Sequence, residues 1–205
     1  MATRVMDTAQ YDRTAILVLV AGLLACGQPG VDAEATDAEA TDDGAESSSS
    51  SEAGVRPSIP VDLVWPELWV EDAQADMFAG HAPSSVTCEF GFANEFGLFE
   101  IDTGLCNYAV FSQSLAAEVF AGDRIALVFT HDDLLAPTPA AAHIAVAIDE
   151  QVIWEIEVPI PGPYAIIEGE WIADRSIAAG SKLVLHLHNH GYNSWRVISI
   201  KSGPP

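Results

Sequence analysis

The sequence predicts an all-β protein, an antiparallel β-sandwich of the jelly-roll type with about nine strands. Two features support this fold class. Short runs that are apolar, or that alternate between apolar and polar residues, recur with turn residues roughly every 8–12 positions, which is typical of strands in sandwiches. An apolar period of about 3.6 residues, the mark of amphipathic helices, is almost absent.

The sandwich is predicted to occupy residues 58–205, and its first part is irregular. Pro60–Val70 is apolar but contains Pro66, which restricts it to a sheet edge or an extended lead-in. Glu71–His81 is predicted to form one short helix before Pro83. Strands are then predicted at Ser85–Phe90, Gly97–Thr103, Tyr108–Ser112 and Ala116–Phe120.

The second part carries the strongest strand signals. Arg124–His131 reads RIALVFTH, a nearly continuous apolar run typical of a strand that is buried on both faces. His143–Ile148 and Val152–Ile160 are predicted to pair across the turn that begins at Asp149. The remaining strands are predicted at Tyr164–Glu168, Trp171–Ile177, Lys182–His190 and Trp195–Lys201.

The chain is strongly acidic. Its formal net charge is −22, and residues 58–205 alone hold 20 acidic against five basic side chains, a formal charge of −15. Because nucleic-acid binding needs Lys and Arg to neutralise phosphates, this balance excludes a nucleic-acid partner. An acidic surface keeps an exported protein soluble, or attracts cations and basic partners.

The N-terminus reads as an export signal. An apolar run from Ala15 to Ala25 precedes Cys26; it is too short to span a bilayer, which needs about 20 residues, and fits a signal peptide. The ending LLAC resembles the lipobox of bacterial lipoproteins. That resemblance implies a signal peptide at residues 1–25, lipidation of Cys26 and a membrane-anchored protein of the cell envelope. Gly27 favours the outer membrane or cell surface.

Residues 26–57 are predicted to form a disordered tether. They contain two copies of DAEAT, further acidic residues and five consecutive serines from Ser47 to Ser51. Such a composition cannot bury enough apolar surface to offset the entropy of ordering the chain. We therefore expect a flexible spacer between the lipid and the sandwich.

The other two cysteines, Cys88 and Cys106, are predicted to form a disulfide. Two cysteines in a domain that is exported to an oxidising compartment most simply form a disulfide with each other. A thiolate metal site or a nucleophile is the alternative, but neither cysteine lies in a CxxC pair.

The order of the strand signals points to a known architecture. A turn and strand, AGDRIALVF, is followed by the pair HIAVAIDEQVIWEIEVPI, and AAGSKLVLHLHNHG and WRVISI close the series. This order resembles the galactose-binding-like jelly rolls found in many carbohydrate-binding modules, over roughly residues 105–201. The resemblance implies a jelly roll and, by analogy, a glycan-binding or protein-binding domain, without implying a particular sugar.

The stretch KLVLHLHNH at Lys182–His190 carries the sharpest chemical signal. Its three leucines are expected to face the core, so that His186, His188 and His190 share the opposite face of the strand. Two strand histidines at His-x-His spacing can bind one Zn²⁺ or Cu²⁺ ion.

A third ligand for such a metal would come from a neighbouring segment. His131 and His143 flank one loop and are the candidates, together with Asp132 and Asp133 in that loop. The alternative is a solvated strand face, or a polar network that supports the following turn. The two aspartates are also candidates for a structural Ca²⁺ ion, which jelly rolls often hold.

The turn after this strand is a second candidate site. Tyr192, flanked by His190 and Asn193, is the aromatic residue best placed to stack on a sugar ring. Apolar alternation places Trp154 and Trp195 in the core. Other aromatic residues that could extend such a platform are Trp65, Trp69, Trp171 and Trp195.

No feature argues for catalysis. The sequence contains no GxSxG, no SxxK, no HExxH and no glycine-rich phosphate loop. We therefore expect a non-catalytic domain that binds a glycan or a protein partner at the cell envelope. The alternatives are a histidine-based metal-binding lipoprotein and, third, a metal-dependent hydrolase.

Overall fold

The computed structural model describes residues 56–205. The predicted signal peptide, Cys26 and most of the tether lie outside the described residues, so the predictions made for them stay predictions. No helix within residues 56–205 is both long and apolar enough to cross a membrane.

The described chain contains eleven strands and three 3-10 helices. The strands are β1 (Val61–Asp62), β2 (Val70–Glu71), β3 (Phe92–Glu95), β4 (Leu98–Asp102), β5 (Tyr108–Ser114), β6 (Arg124–His131), β7 (Ala140–Ile148), β8 (Gln151–Ile160), β9 (Ala165–Ile172), β10 (Lys182–His188) and β11 (Ser194–Gly203). The 3-10 helices are Pro66–Leu68, Ala73–Ala75 and Ala79–His81.

The strands form two antiparallel sheets. One has the order β3-β4-β11-β6-β9, with β1 paired to β11, and the other has the order β2-β5-β10-β7-β8. The eight strands β4 to β11 therefore form two four-stranded sheets, β4-β11-β6-β9 and β5-β10-β7-β8, which is the arrangement of a jelly roll. The predicted antiparallel sandwich is confirmed.

The core lies between the two sheets. Leu183, Leu185 and Leu187 of β10 are fully buried there, as are Leu127 and Phe129 of β6. Each such side chain stabilises the fold by roughly 1.5–3 kcal/mol through removal of apolar surface from water. The expectation that the leucines of β10 face the core is met.

The predicted disulfide is also confirmed, since Cys88 is bonded to Cys106. The two residues form an isolated antiparallel bridge as well. The bond encloses the hairpin of β3 and β4 and ties the segment before β3 to the segment after β4.

Two further strand predictions were wrong. Ser85–Phe90 is not a strand; the strand starts at Phe92 and turns into β4 across Phe96 and Gly97, which both have positive φ. The strand expected at Ala116–Phe120 is reduced to one bridge, because its backbone mostly bonds to loops.

One predicted break in the sheet is absent. The strand expected at Tyr164–Glu168 and the start of the one expected at Trp171–Ile177 are joined in β9, and Gly169 lies inside it. The rest of the second prediction was wrong, since residues 173–177 lie outside β9 and pair through an isolated bridge at Ile177. A Cβ atom at Gly169 would lie only 2.6 Å from Cε2 of Trp154 on β8. The glycine therefore permits a close approach of the indole, rather than ending the strand.

Candidate functional site

The histidine face of β10 is covered by the segment Asp72–His81, which we call the strap. The strap is two short 3-10 turns, so the single helix predicted at Glu71–His81 was wrong. Its start is held by Asp72, whose N–H donates to the Val110 carbonyl at 2.8 Å. The Asp72 carboxylate accepts hydrogen bonds from Lys182 at 2.8 Å and Ser112 at 2.9 Å, and these contacts lower its pKa.

The middle of the strap packs on the outer face of the sheet. Ala75 contacts a small apolar cluster made by Val110, Ala147 and Val184. Farther along, the hydroxyl of Tyr108 donates to the Asp76 carboxylate at 2.6 Å. These side-chain contacts, rather than helical propensity, determine the path of the strap, since an isolated helix of this length is marginal in water.

Three histidines meet beneath and beside the strap. His143 lies on β7, His186 on β10 and His81 at the end of the strap. One ring nitrogen from each can be chosen so that all three lie within 4.8 Å of one another. We call these residues the histidine cluster.

Strand register explains the pair from the sheet. In the β10–β7 ladder His188 is opposite His143, and His186 is opposite Ala145. His186 is thus the diagonal neighbour of His143 on the same face, within reach of long side chains. Their ring centroids are 5.1 Å apart.

Phe78 of the strap closes the cluster on one side. Its ring centroid lies 4.7 Å from that of His186 and 4.9 Å from that of His143. As a result His186 is 1% exposed, whereas His81 is exposed. The predicted solvated strand face is therefore not what the structure shows.

The imidazole of His186 is buried without hydrogen bonds. Both of its ring nitrogens lack a partner within the described part of the chain. Burial, and next the nearby His143, lowers the pKa of His186 to about 3, although Asp76 acts in the opposite direction. The ring is therefore neutral at pH 7, and each unsatisfied nitrogen costs roughly 1–3 kcal/mol.

Two carboxylates flank the cluster. Glu155 Oε2 lies 3.3 Å from Nε2 of His143, which leaves Nδ1 of that ring buried and without a partner among the described residues. Asp76 Oδ1 lies 4.0 Å from Nδ1 of His186, too far for a hydrogen bond. Burial and the hydrogen bond to Asp76 raise the pKa of Tyr108, so its hydroxyl stays protonated as the donor.

A cleft of about 460 Å³ leads from solvent to the cluster. Its walls include His81, His143 and Glu155, and Glu157 adds a second carboxylate at the rim. An ion or small polar molecule can reach His81 and His143 through this opening.

The other two histidines of the predicted strand lie beside the cluster. His188 is half-buried, and burial lowers its pKa. Its ring packs against Tyr108 at 5.4 Å and His190 at 4.8 Å between centroids. His190 is exposed.

His131 does not join them. It lies on β6 in the opposite sheet, where its ring packs 4.7 Å from that of Trp195 and its Nδ1 lies 2.8 Å from the Asp132 carbonyl oxygen. The expectation that His131 supplies a metal ligand beside His186 is thus corrected. His81, which completes the cluster, was missed because no strand period or spacing marks it.

The turn after β10 is held by a buried polar network around Thr103. The Thr103 hydroxyl accepts hydrogen bonds from the Asn189 side chain at 2.8 Å and from the Asn193 N–H at 3.0 Å. Gly191 has φ +86°, and a Cβ atom there would lie 1.9 Å from the Leu135 carbonyl oxygen. The turn is therefore rigid, and only glycine fits at position 191.

Tyr192 projects from this turn and is 80% exposed. Its ring lies over Gly104, where a Cβ atom would be 2.6 Å from Tyr192 Cδ1. Beside it is an open depression of about 400 Å³ with three carboxylates, from Asp102, Asp132 and Asp133. The arrangement presents one aromatic ring next to hydrogen-bond acceptors.

The other residues predicted for this surface have structural roles. Asn193 is buried; its Oδ1 accepts from the Leu135 N–H at 2.6 Å, and its Nδ2 donates to the His190 carbonyl at 2.9 Å. The side chain of His190 points to His188 rather than to the depression. Of the three candidates, only Tyr192 offers a free surface.

Two of the carboxylates in the depression already interact with other groups of the protein. Asp132 forms an ion pair with Arg196 at 2.9 Å, and the hydrogen bond from that guanidinium lowers the carboxyl pKa. Asp133 Oδ1 accepts the Tyr164 N–H at 2.7 Å. The predicted Ca²⁺ site at these two residues stays a prediction.

The tryptophans do not join Tyr192. Trp195 is buried in the core, and Trp154 stacks on Phe129 at 5.3 Å. Trp69 is buried too, while Trp65 is exposed beside a separate depression near β11. The extended aromatic platform expected from the sequence is therefore not formed.

No protein-family model matches the chain, and no curated protein matches it significantly. Among solved structures, it is similar to "CBM4 structure and function", at 12% identity and a TM-score of 0.39, covering 68% of this chain and 88% of the other. It is also similar to CBM51 from Clostridium perfringens GH95 in complex with methyl-galactose, at 12% identity and a TM-score of 0.34, covering 65% and 99%. At these values no functional residue is transferred, and function is argued from the sites.

Proposed function

We propose that this protein is an exported, lipid-anchored carbohydrate-binding protein without catalytic activity, and that its ligand contacts the Tyr192 depression. The observation that carries the proposal is the ring of Tyr192, which is 80% exposed yet held against Gly104. An exposed aromatic side chain in a rigid turn offers apolar contact area at a low entropic cost.

The chemistry of the depression suits a neutral sugar. One face of a sugar ring carries C–H groups that pack on an aromatic ring, while its hydroxyls donate hydrogen bonds to acceptors. Carboxylates accept such bonds, and Asp102 and Asp133 line the same depression as Tyr192. The formal charge of −15 on residues 58–205 disfavours anionic glycans.

The N-terminal signal supports the anchored location. We expect the chain to be cleaved before Cys26 and held to the outer membrane by lipid on that residue. Cys26→Ser should release the protein from the membrane fraction into the soluble fraction. Retention of the variant at the membrane would contradict the anchor without affecting the sugar proposal.

Sugar binding is tested with the full-length protein on an array of neutral glycans. Binding should be lost in Tyr192→Ala, since the variant removes the stacking ring. Phe96→Ala is the matched control, because Phe96 is also an exposed aromatic residue but precedes β4, whereas the depression begins where β4 ends. Equal signals for wild type and Tyr192→Ala, or no signal with any glycan, would overturn the proposal.

A further inference from the structure

The histidine cluster is separate from the Tyr192 depression, and no residue is shared between them. We propose that His81, His143 and His186 form a binding site for one divalent first-row transition-metal ion, with Zn²⁺ as its most suitable ligand. This is a second function of the domain and does not depend on sugar binding.

The donor set matches the preference of the metal. Three neutral imidazoles from two strands and a loop are a common zinc ligand set, with Zn–N distances of about 2.0–2.1 Å. Tetrahedral coordination then places the nitrogens about 3.4 Å apart, whereas in the structure they lie within 4.8 Å. The cluster needs only a small contraction to close on an ion.

The part of the site that can move is His81. It is exposed, and the backbone hydrogen bonds of its turn in the described chain are local, from His81 N–H to Phe78 and from Ala82 N–H to Ala79. His143 and His186, by contrast, are held in the paired strands β7 and β10. A metal ion would thus draw the end of the strap onto a rigid two-histidine base.

The buried rings are prepared as ligands. Nδ1 of His143 and both nitrogens of His186 are buried without hydrogen bonds in residues 56–205, which is rare for imidazole in a protein interior. The contact of Glu155 with Nε2 of His143 directs the proton to that nitrogen and leaves a lone pair on Nδ1. Carboxylate–histidine pairs of this kind orient metal ligands in zinc sites.

Three protein ligands leave one coordination position free. The cleft beside His81 and His143 opens at this point, so that water can complete the shell. The acidic rim also concentrates cations at the entrance.

The test is calorimetric titration of Zn²⁺ into the full-length, untagged protein, with Co²⁺ absorption as a second readout. Wild type should bind one ion, and Co²⁺ should give the visible bands of a four-coordinate nitrogen site. His81→Ala should weaken binding by at least about tenfold. Since His81 is exposed, this variant is expected to fold, whereas His186→Ala serves as a second variant inside the sheet.

His190→Ala is the matched control, because it removes another exposed histidine of the same neighbourhood outside the cluster. Its affinity should stay within about twofold of wild type. The proposal is overturned if wild type binds no Zn²⁺, Co²⁺ or Cu²⁺, if His81→Ala binds like wild type, or if His190→Ala weakens binding as much as His81→Ala. Weak binding of several ions that all variants retain would indicate the acidic tether and also contradict the site.

Discussion

The imidazole of His143 lies 5.1 Å from that of His186, centroid to centroid, across two neighbouring antiparallel strands. Neither ring is exposed by more than 7%. Two titratable side chains thus lie beneath the ten-residue strap, on the outer face of one sheet of the jelly roll. This juxtaposition makes the stability of the domain sensitive to proton uptake.

We predict that the metal-free protein loses stability as the pH falls from about 6.5. Burial lowers the pKa of His186 to about 3 in the folded state from its ordinary value of 6.5, and it lowers the pKa of His188 too. Between these values the unfolded chain binds more protons than the folded one, so the free energy of unfolding decreases as the pH decreases. For His186 the slope is on the order of 1 kcal/mol per pH unit.

Burial is the main cause of this shift in the pKa of His186, and the groups that face the ring modify it. His143, His188 and His81 disfavour its protonation, and Asp76 favours it. Urea unfolding in the presence of a chelator between about pH 7 and about pH 5 measures the slope, above the range in which carboxylates such as Asp72 begin to titrate. His186→Gln should flatten the slope; an unchanged profile in this variant would show that His186 is not buried as a neutral ring.

We predict that Gly191→Ala destabilises the turn that carries Tyr192. The residue has φ +86°, and the new Cβ atom would collide with the Leu135 carbonyl oxygen. A loss of about 1–3 kcal/mol in the free energy of unfolding is expected. Gly80→Ala is the control, because nothing lies within 4 Å of a Cβ atom there; a Gly191→Ala variant as stable as this control would refute the assigned role.

We predict that reduction of the Cys88–Cys106 disulfide lowers the free energy of unfolding by about 3 kcal/mol. The two residues are 18 positions apart, and closing a loop of that size restricts the unfolded chain by about this amount. Thermal unfolding with and without reductant measures the effect. A melting temperature that does not respond to reductant would mean that the bond contributes no net stability.

The sequence allowed His143 and His186, the sheet residues of the histidine cluster, to be predicted as metal ligands. It did not allow His81 to be predicted, because His81 lies in the strap. Alternation in β10 correctly separated its leucines from its histidines, and pairing with β7 brings His143 to the same face. The cover over that face depends on contacts such as the ion pair of Asp72 with Lys182, 110 residues away. Contacts of this range leave no periodic trace, so His81 could not be identified.

The turn that carries Tyr192 was also only partly predictable from the sequence. Its exposure was expected from its place in a turn, but the choice between a ligand and a structural role for Asn193 was not readable from residue type. Asn193 has a structural role because it bonds to the buried Thr103 hydroxyl and to the Leu135 backbone, which come from other loops. Likewise, Gly169 suggested a strand break from the sequence, whereas in the structure it makes room for the indole of Trp154.

The central claim, that Tyr192 stacks on a neutral sugar, is tested most directly by nuclear Overhauser contacts in solution. The full-length protein is mixed with a neutral oligosaccharide that it retains on the array, and contacts from the aromatic protons of Tyr192 are recorded. Contacts to the C–H protons of one sugar ring are expected. Contacts confined to another surface, with none to Tyr192, would contradict the central claim.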